Sequence, residues 1–138
     1  MSQATDHTES LILTGLVNGT AIQTSTGKPY IGLFTSAPSD TGGGTECSGG
    51  GYARVQVGST ANGFTQGNFT VNGGTAQNDG EFKFADATAN WGTVSHIGVF
   101  DAETGGNLLV YGALTSPVAI ETGDIFKVPA NGYTITVD

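Results

Sequence analysis

The side chains that could carry acid–base or nucleophilic chemistry in this sequence are few and poorly spaced for it. There are two histidines, His7 and His96, and a single cysteine, Cys47. A serine or cysteine nucleophile needs a base within hydrogen-bond reach and a third group to orient that base. Ser95 neighbours His96, but adjacent residues of a strand point to opposite faces, so no dyad is expected. His96 alternates with Val94, Gly98 and Phe100 and reads as a packed strand histidine. His7 falls in an N-terminal stretch read as mobile, and no G-x-S-x-G elbow occurs. Glu46 beside Cys47 disfavours a thiolate and so argues against a reactive thiol.

The acids Asp86, Asp101, Glu103, Glu121 and Asp124 lie in turn-like segments. Turns favour Asp for backbone reasons alone, so they are not read as a catalytic carboxylate pair. Neither Asp79-Gly80-Glu81 nor Asp101-Ala102-Glu103 extends into a calcium loop. The glycine runs 42–44 and 49–51 lack the spacing and the lysine of a phosphate-binding loop and read as flexible loop. Arg54, the only arginine, suits either a cross-strand ion pair or an interface anchor. Asn18-Gly19-Thr20 and Asn68-Phe69-Thr70 match the glycosylation pattern and are read as chance. No catalytic, cofactor-binding or metal-ligating residue is assigned, no cofactor is expected, and the expected role is non-enzymatic.

Composition narrows the partners. Against twelve Asp and Glu stand only Lys28, Arg54, Lys83 and Lys127, for a formal charge of −8. Such a chain is repelled by phosphate backbones and anionic lipid, so neither nucleic acid nor membrane is an expected partner. One cysteine allows no intrachain disulfide. The first residues do not read as a signal peptide, and no apolar stretch approaches the about 20 residues of a membrane helix. Synthesis in a reducing cytoplasm is expected. Only 12% of residues are charged and 23 are glycine, which describes a polar, weakly charged surface with many turns.

The elements that must position these groups are mostly strands. Asp6 and Glu9 stand as a capping box before Ile12, Leu13, Leu16 and Val17, and Asn18-Gly19 supplies a stop, which predicts a short helix over 7–17; a strand at 11–13 is the alternative. Strands are expected at 30–34, 52–57, 82–84, 91–100, 108–114, 118–120, 125–128 and 133–137, with further ones around Phe64, Phe69 and Val71. Val94, His96, Gly98 and Phe100 should share one face. Thr41–Gly51 reads as a long glycine-rich loop, functional or mobile. The expected architecture is all-β, a β-sandwich or jelly roll with one short N-terminal helix. It forms one domain over 1–138, with an arm and helix over 1–28 and the sandwich over 29–138.

Several phrases carry a family resemblance: Tyr30-Ile31-Gly32-Leu33-Phe34-Thr35, Ser48-Gly49-Gly50-Gly51-Tyr52-Ala53-Arg54, the run 87–101 around Ala89-Asn90-Trp91-Gly92, the run 105–114, and Thr134-Ile135-Thr136-Val137-Asp138. With these, in order from about residue 7 to the end, the chain resembles small virion structural proteins of tailed bacteriophages, the head-decoration and tail-fibre-like proteins. The resemblance implies a virion component and brings no catalytic residues. The expected function is capsid decoration: a cement protein on the capsid exterior that bridges major capsid protein subunits and associates with itself, a trimer being preferred to a dimer. The alternative is a tail-fibre or baseplate component that binds other tail proteins or host glycan. Candidate contact residues are the first ten, the helix face Leu13, Leu16 and Val17, and the 41–51 loop. For glycan, the aromatic candidates are Tyr30, Tyr52, Trp91, Tyr111 and Tyr133, most of them expected in the core.

Overall fold

A computed structural model describes residues 2–19 and 27–136. Its elements in chain order are β1 (Gln3–Ala4), α1 (Asp6–Asn18), β2 (Tyr30–Ser36), β3 (Thr45–Glu46), β4 (Val55–Gln56), β5 (Thr60–Ala61), β6 (Phe64–Thr65), β7 (Phe69–Asn72), β8 (Thr75–Asn78), β9 (Phe82–Lys83), β10 (Gly92–Phe100), β11 (Leu108–Ile120), β12 (Lys127–Val128) and β13 (Thr134–Thr136). The main sheet runs β1-β11-β10-β2-β3, with β4 also on β2; smaller sheets are β12-β9, β13-β8-β7 and β5-β6. All ladders between these strands are antiparallel. The chain is therefore an all-β sandwich with one short helix near its N-terminus.

Strand alternation builds the core. Ile31 and Leu33 of β2, with Val94, Ile97 and Val99 of β10, meet Phe82 of β9, Val128 of β12 and the flanking Phe84, Phe126 and Tyr133 in one buried cluster. The opposite face of the main sheet carries a second, smaller cluster of Phe34, Phe100 and Leu108. There Gly32 and Gly98 are register partners, and the space their missing side chains leave is filled by the stacked rings of Phe34 and Phe100, 5.7 Å apart. A Cβ on Gly98 would sit 2.7 Å from Leu108 Cδ1 and 3.0 Å from Phe34 Cε1.

Three expectations are corrected. The ladder between β10 and β11 shifts register between Val94 and His96, so the face reverses at Ser95. Val94 joins the main core with Ile97 and Val99, and does not share a face with His96, Gly98 and Phe100. The strands expected at 108–114 and 118–120 are one strand, β11, that runs through Pro117. The irregularity leaves residues 114–117 without register partners, which is where a residue lacking an N–H is tolerated. The 41–51 segment is not an unstructured loop. β3 pairs with β2, the Cys47 N–H donates to Leu33 O, and Gly50 O accepts from both Thr88 N–H and Trp91 Nε1. Val137, expected to end the last strand, lies outside the described residues.

Candidate functional site

Helix α1 begins with Thr5 as its N-cap, one residue before the Asp6 and Glu9 pair expected to box it. Thr5 has extended backbone and its Oγ1 accepts from the Thr8 N–H, while Asp6 and Glu9 occupy the first turn, where negative side chains suit the positive helix end. The helix ends at Gly19, whose φ of 70° only glycine adopts easily and whose N–H returns to Gly15 O. Its root is fixed to the main sheet: Thr5 Oγ1 donates to Leu108 O at 2.7 Å and Thr8 Oγ1 to Leu109 O at 2.7 Å. The residues before it are held as well. Ser2 and Thr5 are buried, and Ser2 Oγ donates to Tyr133 Oη at 2.8 Å. Residues 2–5 are thus bonded into the β fold, and His7 sits on α1.

Beyond its root, α1 buries none of its residues. Leu13, Leu16 and Val17 are 59%, 76% and 71% exposed. They recur at i, i+3 and i+4 and form one apolar stripe. Beside it lies an open cavity of about 360 Å³ between α1 and β1, lined by Ala4, Ile12 and Leu13 and rimmed by Glu9 and Asp40. A second cavity of about 470 Å³ lies across Asp40, against Asp6, His7, Phe34, Phe100 and Asn107. Of the contact residues expected from sequence, the helix stripe is therefore presented to solvent, whereas residues 2–5 and the 41–51 segment are bonded within the fold.

A second surface was not foreseen. Lys83 on β9 and Lys127 on β12 are register partners, and the apolar neighbours Phe82, Phe84, Phe126 and Val128 are all buried, which leaves both lysines facing outward together. The available signal was the matching apolar-Lys-apolar triplets Phe82-Lys83-Phe84 and Phe126-Lys127-Val128.

The residues weighed for catalysis are spread apart or committed to structure. Ser95 Oγ does lie 2.8 Å from His96 Nδ1, because the register shift at Ser95 breaks the alternation expected to separate them. No carboxylate is hydrogen-bonded to that imidazole among the described residues, so the orienting third group of a triad is lacking. Asp86, Glu103, Glu121 and Asp124 are exposed, and Asp124 Oδ2 caps its own turn by accepting the Glu121 N–H. Asp101 is buried; burial opposes its ionisation, but hydrogen bonds from the N–H and Nδ2 of Asn107, with His7 nearby, outweigh that and hold the carboxyl below its ordinary range. Burial and the Glu46 carboxylate push the Cys47 thiol up to about 11, so it rests protonated at neutral pH. Among the described residues no three His, Cys, Asp or Glu side chains gather as a metal site.

Arg54 resolves as a structural clamp. Its Nε and Nη2 engage both oxygens of Glu46 at 2.8 and 2.7 Å, and Nη1 donates to Ala102 O and Gly105 O. Its guanidinium lies 3.4 Å from the centre of the Phe100 ring. Tyr52 donates to Glu46 Oε2 at 2.7 Å, and burial together with that bond raises its pKa. Of the five aromatic candidates for a glycan platform, Trp91 and Tyr133 are buried, and Tyr30, Tyr52 and Tyr111 are half-buried. Asn68 is exposed and accepts from Lys28 Nζ; Thr20, which completes the other glycosylation pattern, lies outside the described residues.

Among known proteins, a family model described as Podophage GP4 fiber I protein gp80 matches residues 3–136. No curated protein matches the chain.

Proposed function

The chain belongs to the Podophage GP4 fiber I protein gp80 family, a virion structural family of tailed phages, and from that premise we propose that it is a non-enzymatic subunit of a tail fibre. The observation that carries this reading is the match itself, which covers nearly the whole chain and whose description names a fibre. It favours the tail-fibre alternative over decoration of the capsid exterior and bridging of the major capsid protein. The chemistry of the site is in keeping with it: a satisfied β body, and an apolar helix stripe offered to a neighbour. Apolar side chains held on a rooted helix gain burial only when another surface covers them. Attachment to other fibre or tail proteins, or to further copies, is the role this stripe fits. With Trp91 and Tyr133 buried, protein contact is a better fit than a glycan platform built on them.

Quantitative mass spectrometry of purified particles, with head and tail fractions separated, tests the seat. The expected result is recovery with tails at low copy number relative to the major capsid protein. Recovery with heads at a copy number comparable to the shell lattice would overturn it.

A further inference from the structure

The α1 surface is chemically mixed. Leu13, Leu16 and Val17 are its apolar part, and Asp6, Glu9 and Asp40 give it negative charge. Its complement is a surface that is apolar and positive. Of the four basic residues, Arg54 is committed to Glu46, and Lys28 is hydrogen-bonded to Asn68. Lys83 and Lys127 remain, side by side on β9 and β12, and among the described residues neither has a carboxylate within ion-pair distance. Like charges directly opposed across strands repel, a cost that an acidic partner relieves. Ile125, two residues before Lys127, is 39% exposed and adds apolar area.

We propose that these two surfaces are halves of one contact: the β9–β12 face of one copy docks on the α1 face of the next. On a chain of charge −8, copies repel in most orientations, and this pairing sets the uncommitted lysines against Asp6, Glu9 and Asp40. Pairing α1 with α1 would instead bring carboxylates together. Because two different surfaces meet, the contact repeats head to tail into a closed ring, such as a trimer, or an open chain, or forms twice about a twofold axis in a dimer. The inference rests on the reading of α1 as a contact surface and names its occupant as a second copy.

The mass of the full chain, measured by light scattering and sedimentation over a range of concentration and sodium chloride, tests it. The expected result is an assembly of two or more chains that dissociates as salt shortens the screening length from about 30 Å at 0.01 M to about 3 Å at 1 M. Lys83→Glu with Lys127→Glu, and separately Asp6→Lys with Glu9→Lys, should each weaken assembly at least ~10-fold. Mixing the two variants should restore contacts between unlike variants, where opposite charges again face each other; a closed trimer keeps one like contact, so the mixed pair is the readout. Lys83→Gln with Lys127→Gln, which keeps side-chain size, should weaken it in the same direction and serves where a reversal unfolds the chain. A wild-type chain that stays monomeric, unchanged assembly in the Gln variant, or folded reversal variants that form no mixed pairs would overturn the contact. Particle fractionation reads the fibre seat separately: a monomer found with tails defeats this contact alone, and an assembly found with heads defeats the fibre seat alone.

Discussion

The β body and helix α1 are built to opposite rules. In the body, Ile31, Leu33, Phe82, Phe84 and Val94 are fully buried, and among the described residues no buried side-chain polar atom lacks a partner. In α1, 13 residues bury no side chain, and three large apolar ones face solvent. An isolated helix shorter than about 12–15 residues is marginal in water, so α1 owes its persistence to its caps and to the Thr5 and Thr8 bonds at its root. The body is stabilised by what it encloses, whereas the helix displays what would stabilise a contact. Substitutions in the body should therefore register as stability, and those on the α1 stripe as assembly.

The largest effect expected is from Phe82→Ala. This ring is fully buried between Phe69 and the main core, and its truncation should cost about 3–5 kcal/mol in urea unfolding. A loss below about 1 kcal/mol would break the comparison, because the body would then not depend on its core. Arg54→Ala comes next, at about 3 kcal/mol, since it strands Glu46 beside Tyr52 and frees the carbonyls of Ala102 and Gly105. Hydrogen exchange should show residues 101–106 losing protection first. Smaller again is the acid response. Asp101 has a lowered pKa in the folded state, so its contribution is complete above the ordinary carboxyl value of about 4 and is lost as pH falls through the lower folded value. Asp101→Asn should flatten that acid limb of the stability profile; an unchanged limb would place the acid sensitivity elsewhere.

The sequence carried the β class plainly, because turn residues punctuate short apolar runs that alternate, as at Phe82-Lys83-Phe84 and Val55-Gln56-Val57. Long-range register was not legible. Nothing local at Ser95 announces that the ladder slips there, yet that slip moves Val94 into the main core and sets Ser95 against His96. Likewise the 41–51 glycines look like slack chain, and only the distant acceptors and donors of Leu33, Thr88 and Trp91 show the segment to be fastened. The α1 stripe could be read from its spacing, but whether the body covers it depends on where β1 joins β11. The triplets Phe82-Lys83-Phe84 and Phe126-Lys127-Val128 mark each lysine as outward-facing, but their meeting was out of reach for the same reason, since pairing of β9 with β12 joins residues far apart in the chain.

The smallest effect on stability, and the sharpest test of the comparison, belongs to Leu16→Ser with Val17→Ser. Both side chains are more than two-thirds exposed, so their loss removes little from the folded monomer, and the expected change in unfolding free energy is about 0.5 kcal/mol or less. Serine is a somewhat weaker helix former than leucine, but α1 is held at Thr5 and Gly19 and should persist by circular dichroism. Incorporation into particles should nevertheless fall, because the apolar area that a neighbour would bury is gone. A variant that unfolds early would show that the stripe supports the body after all. A variant that is stable and incorporates normally would show that the stripe is idle, and the contact would have to lie elsewhere on the molecule. Stable folding with lost incorporation is the result that separates a surface kept for a neighbour from a surface kept for the fold.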